Sequence, residues 1–166
     1  MLSYLSGVTN LVKFELNIRI NRQIKFFLSI DWIHKIVEKA LSVSGLKSPL
    51  ELSLIITSDE SIRRLNKKYR GLNETTDVLS FALTEKDISE TIPFIMPPDG
   101  VTHLGEIVIS YPRAKIQAEQ ESCTIEKELA LLITHGVLHL AGFDHDEPQK
   151  ECEMKLLESK VLQGLK

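Results

Sequence analysis

Cysteine is nearly absent from this sequence: Cys123 and Cys152 stand alone among 166 residues, far apart and in no C-x-x-C pair. Neither a disulfide framework nor a thiolate zinc cluster is suggested, and the usage fits a reducing cytosol. A strong charge of either sign is also lacking. With a formal charge of −3 and a pI near 6.0, the whole surface is no magnet for nucleic acid, and any polyanion site must be a local patch. No apolar run is long enough to span a bilayer. The opening residues, MLSYLSGVTN, have neither the basic start nor the apolar core of a secretory signal, so a soluble, cytoplasmic protein with no membrane partner is expected. Internal repeats and low-complexity segments are missing too.

What is present is a core. Hydrophobic residues make up 43% of the chain and charged ones 26%, enough for one globular domain and too short for two full ones, with residues 1–11 as an N-terminal extension. From Val12 to Ile20, apolar Val12, Phe14, Leu16, Ile18 and Ile20 alternate with polar neighbours, the period of a half-buried strand. From Ser29 to Ser44 the apolar residues Ile33, Ile36, Val37, Ala40 and Leu41 recur at helical spacing before Gly45 and Pro49. LELSLIIT from Leu50 reads as a more buried strand. Ser58, followed by Asp59 and Glu60, then caps a helix reaching about Tyr69.

Two further strands are expected at Asp77 to Leu83 and Leu104 to Ser110. The acidic stretch between them carries Pro93, Pro97 and Pro98 and reads as a long mobile loop from Glu85 to Thr102. Helices follow from about Pro112 to Glu121, Thr124 to Leu140 and Pro148 to Leu162. The order is β-α-β-α-β-β-α-α-α, an α+β arrangement of about four strands and five helices.

The segment least like a packing pattern is HGVLHLAGFDH, residues 135 to 145. His135 and His139 stand four apart on one helix and so point the same way. Gly142 suits the left-handed turn that ends the helix and reverses the chain, bringing His145 back. Three neutral imidazoles suit zinc, and three ligands rather than four leave a coordination position open, as in catalytic sites. The spacing equals that of the H-E-x-x-H-x-x-G-x-x-H zinc peptidases with one exception. Gly136 stands where they carry the glutamate base, so a peptidase is the weaker reading.

HGVLHLAGFDH resembles the hallmark H-G-x-L-H-L-x-G-[YF]-D-H of the YbeY-type endoribonucleases, rRNA maturation factors of bacteria. LNKKYRGLNETTDVLSF (Leu65 to Phe81) and LGEIVIS (Leu104 to Ser110) resemble two more blocks of that family, in the right order. Thr75 and Ala82 depart from prolines usual there. The resemblance implies a zincin-like fold with a mixed sheet and one zinc on His135, His139 and His145. It further implies cleavage of single-stranded RNA, work on the 3′ end of 16S ribosomal RNA, and contact with the small ribosomal subunit in ribosome quality control.

The residues are consistent with a polyanion substrate. Arg63, Arg64, Lys67, Lys68 and Arg70 fall within eight residues, the local patch the composition allows. The first four, candidate RNA contacts, read equally well as a solvated helix face. Arg70, placed just beyond the helix, matches the arginine of the family's Y-R pair. Its planar fork can clamp two phosphate oxygens, so Arg70 and His135 are the catalytic candidates. Glu106 and Asp144 are the carboxylates to consider as base or as supports of the metal ligands. His34 and His103, without partner spacing, read as ordinary, and Met154 as core. The rivals are another zinc hydrolase and a non-catalytic ribosome-assembly factor with a structural zinc.

Overall fold

A computed structural model describes residues 12–47, 49–83 and 98–165. In chain order the elements are β1 (Phe14–Ile20), α1 (Ile30–Ser44), β2 (Leu50–Thr57), α2 (Asp59–Arg70), β3 (Val78–Ala82), β4 (Thr102–Ser110), α3 (Tyr111–Gln120), α4 (Ile125–Leu140) and α5 (Pro148–Gln163). This is the expected α+β order. The loop reading between β3 and β4 lies mostly outside the described residues, as do Pro93, Pro97 and residues 1–11.

The helix starts follow from their caps. Ser29, Ser58, Ser110 and Thr124 each accept a hydrogen bond from a backbone N–H of the first turn that has no partner within its helix. Arg70 is not beyond α2, as expected, but is its last residue, with Gly71 closing the helix in the left-handed region. The spacing of apolar residues had run out by Tyr69, whereas the helix continues until its carbonyls are capped.

The sheet order is β1-β2-β4-β3. β1 and β4 flank β2 in parallel, and β3 runs antiparallel to β4 as the edge strand. The alternation of β2 and β4 decides what each face meets. Leu52, Leu54, Ile56, Ile107 and Ile109 pack with Ile33, Ile36, Val37 and Leu41 of α1 and with Leu129, Ile133, Val137 and Leu140 of α4. Each such side chain contributes roughly 1.5–3 kcal/mol on burial. On the opposite face a smaller cluster of Ile62, Leu79 and Val108, with Ile55, Leu65 and Phe81 beside it, seats α2. The link from α2 to β3 therefore rounds the free edge of the sheet. Buried Asn66 holds it there by donating to the Glu74 carbonyl at 2.9 Å. No helix among the described residues is long and apolar enough to cross a membrane.

Candidate metal and phosphate site

α4 carries two stripes. One is apolar and faces the sheet; the other, Glu128, Leu131 or Leu132, His135 and His139, faces a cavity of about 420 Å³. At its end Gly142, with φ +92°, lets the chain reverse, and its N–H donates to the His139 carbonyl at 3.0 Å. The Asp144 carboxylate then accepts from the backbone N–H of His145 at 2.6 Å and of Asp146 at 3.3 Å. This local turn is what returns His145 toward the helix. The ring centroids stand 4.5 Å (His135 to His139), 5.1 Å (His139 to His145) and 5.9 Å (His135 to His145) apart.

The protonation pattern of the pair suits a cation. Nδ1 of His135 lies 2.8 Å from Glu158 Oε1 on α5, which fixes the proton on that nitrogen and leaves Nε2 as an acceptor. His139 makes a backbone hydrogen bond at Phe143. With its Nε2 turned to His135, that bond falls to Nδ1. The two Nε2 atoms then meet at 3.0 Å, and two bare lone pairs so placed repel unless a positive charge lies between them. Two nitrogens on one tetrahedral zinc stand about 3.3 Å apart for Zn–N bonds of ~2.0–2.1 Å. Burial first, and then the other two rings, hold the His139 imidazole below its ordinary pKa, favouring the neutral form a metal requires. His145 is the looser member, its side chain 56% exposed. Among the described residues no three His, Cys, Asp or Glu side chains are closed into a finished cage; the arrangement is a tight pair with a third ring at its rim.

Arg70, Asp77, Val78 and Ser80, from the end of α2, the residue before β3 and β3 itself, line the same cavity. Arg70 makes no ion pair among the described residues. Asp77 is anchored by hydrogen bonds from the Val78 N–H at 2.8 Å, the Thr76 hydroxyl at 3.1 Å and Gln117 Nε2 at 3.0 Å. Glu128, buried at 7% exposure, has its carboxyl pushed up by burial and then by the nearby charge of Asp77.

Several candidates fall elsewhere. Arg63, Arg64, Lys67 and Lys68 are exposed on α2 and do not line the cavity; Arg64 pairs with Glu60. Glu106 is corrected as a base: it pairs across the sheet with Phe81, while its neighbour Ile107 faces α4, so strand alternation turns Glu106 to the α2 face. Asp144, the other carboxylate candidate, sits in the turn immediately before His145. Its carboxyl, held low first by the hydrogen bond with Asp146 and then by the His145 backbone, shapes the turn that carries the third histidine. His103, read as ordinary, bridges Glu51 and Asp99, with Nε2 3.1 Å from the latter. His34 stacks on Phe14, and Met154 is buried in the core as expected.

Glu158, Glu128, Asp77 and Ser80 went unnoticed in the sequence. Glu128 had a signal, lying seven residues before His135 on the same helical stripe. Glu158 had none without the packing of α5 on α4.

Gly136 explains the missing peptidase base. A Cβ there would come within 2.7 Å of Ile107 Cγ2, so α4 lies so close to β4 that a side chain at this position would have to displace Ile107.

A mixed sheet flanked by helices thus carries a histidine pair supported by a carboxylate, with Arg70, which has no ion pair among the described residues, lining the same cavity, an arrangement of the class that can hold a cation and an anionic group side by side. The comparisons with known proteins make the class specific. The family model for Endoribonuclease YbeY matches residues 16–166. An Endoribonuclease YbeY from Dehalococcoides mccartyi is 42% identical over 144 residues, covering 85% of this chain and 84% of that protein. One from Roseiflexus sp. strain RS-1 is 40% identical over 134 residues, covering 80% and 81%. The solution structure of TM1509 from Thermotoga maritima superposes with a TM-score of 0.58 at 26% identity, over 91% of this chain and 89% of that one. The chain belongs to the YbeY family of endoribonucleases.

Proposed function

We propose that this chain is a single-domain, zinc-dependent endoribonuclease of the cytoplasm that cuts single-stranded RNA. Its proposed work is the maturation of the 3′ end of 16S ribosomal RNA and ribosome quality control, with the small ribosomal subunit as partner. The observation that carries this reading is the convergence of Arg70 with His135, His139 and His145 on one cavity from segments far apart in the chain.

His135, His139 and His145 would hold one zinc ion, which supplies Lewis acidity toward a phosphoryl oxygen and toward water. The protein's own part is positional. Glu158 fixes the His135 tautomer so that Nε2 points into the site. Arg70, which no carboxylate neutralises among the described residues, offers a two-pronged donor to the phosphate oxygens as charge grows on them. Lys67, Lys68, Arg63 and Arg64 lie outside the cavity and act on the backbone of the bound strand by charge alone. A peptidase reading is disfavoured by Gly136, which stands where a peptidase carries its glutamate base and packs tightly on Ile107.

The test is metal analysis of the purified protein followed by cleavage assays on single-stranded and double-stranded RNA with and without a chelator. About one zinc per chain and chelator-sensitive cutting of the single strand are expected. A protein free of stoichiometric metal, or one whose cutting ignores the chelator, contradicts the reading.

A further inference from the structure

The residue before Arg70 is exposed where an aromatic ring gains nothing from water. Tyr69 is 58% exposed at the end of α2, and Leu72, just past the cap, is 50% exposed. Tyr69 does not stand free: its ring meets Phe81 of β3 edge-on at a centroid distance of 5.1 Å, which fixes the plane of the pair. The Lys68 ammonium lies 4.9 Å from the Tyr69 centroid. The group on that face is the end of a flexible, exposed lysine side chain, which a ligand can displace at little cost. The patch therefore combines a rigid aromatic face, an apolar neighbour and the cations Lys67 and Lys68 in a chain that is negative overall.

From this arrangement we infer that Tyr69, backed by Phe81, is a stacking platform for a nucleobase of the RNA strand, next to the phosphate that Arg70 engages. The inference rests on the endoribonuclease reading and adds a base subsite to it. Adjacent residues divide the strand between them: Arg70 turns into the cavity, while Tyr69 stays outside it on the α2 face of β3. A strand with one phosphate on Arg70 must round the free edge of β3, and a flanking base then meets the Tyr69 ring. The base takes the position of the Lys68 ammonium, which moves to a phosphate. A duplex cannot use this platform, because its bases are already stacked and paired. Stacking on an aromatic face tolerates any base, so the subsite selects single-stranded RNA without reading its sequence.

The experiment is steady-state cleavage, by the zinc-loaded full chain, of a single-stranded oligoribonucleotide series in which one nucleotide at a time is made abasic. For the wild type, one position at a fixed offset from the cut should raise KM by roughly fivefold or more, the scale of one lost base stack. Tyr69→Leu keeps an apolar contact with Phe81 but has no aromatic face. It should raise KM on intact RNA by a similar factor and show no further loss with the abasic strand, while Tyr69→Phe behaves as wild type. A Tyr69→Leu protein with unchanged KM, or one that responds to the abasic position as strongly as wild type, overturns the platform while leaving the nuclease reading intact. A wild-type protein that cuts no RNA overturns both. Melting curves separate these results from misfolding, and if Tyr69→Leu does not fold, Tyr69→His, which keeps a flat ring, must retain the abasic sensitivity for the inference to stand.

Discussion

Nδ1 of His135 lies 2.8 Å from the carboxylate of Glu158, a residue twenty-three positions further along the chain. That contact joins α5 to the site and decides which nitrogen of His135 is free. Replacing Glu158 with Gln should keep the fold and lower zinc affinity by about 10–100-fold, the usual cost of losing a carboxylate behind a ligating histidine. Competition with a fluorescent chelator measures it. Equal affinity in the two proteins would show that the contact does not support the metal.

Arg70→Lys keeps the charge and loses the planar fork. Turnover should fall by a factor of order 10² or more, with zinc content and Tm near wild type. Replacing Lys67 and Lys68 with Gln should instead weaken RNA binding most at low salt and leave turnover at saturating RNA largely intact. If the lysine variant at position 70 cuts at the wild-type rate, Arg70 is not a clamp.

Gly136→Ala puts a methyl group against Ile107. Ordinary helix propensity favours alanine over glycine by about 1 kcal/mol, but overpacking of a tight core costs about 1–3 kcal/mol, so a lower Tm is expected. In a double-mutant cycle with Ile107→Ala the two losses should be less than additive, because the second change makes room for the first. Strict additivity would place the strain elsewhere.

His103 gives a dependence on pH far from the site. The hydrogen bond to Asp99 is the main cause that raises its pKa above the ordinary value; burial opposes it next, and the hydrogen bond and charge of Glu51 then add to the rise. Because the folded value is the higher one, this stabilisation is complete below the unfolded pKa of about 6.5 and is lost as pH rises through the folded value. Tm should therefore drop on going from about pH 6 to pH 8.5, and His103→Gln should flatten that drop. A variant with the wild-type slope would exclude His103 as its source.

The sequence by itself determined every element that depends on neighbours along the chain. The helix cap at Ser58, the alternation of β1 and the four-residue step between His135 and His139 are local, and each survives in the structure because the physics that makes it acts within one or two turns. The turn at Gly142 is local too, so the three histidines were legible as a group. Arg70 could be singled out by its chemistry, but not placed. Only the tertiary structure brought it to the histidines, since that depends on α2 crossing one face of the sheet and the chain rounding the edge of β3. The same holds for the carboxylates. Glu106 and Ile107 are equivalent in a lone strand, and only the seating of α4 against Ile107 turns Glu106 away. Asp77 and Glu158 reach the cavity because β3 pairs with β4 and α5 folds back on α4. Contacts between residues far apart in sequence carry no periodicity, so no window of the chain could have shown them.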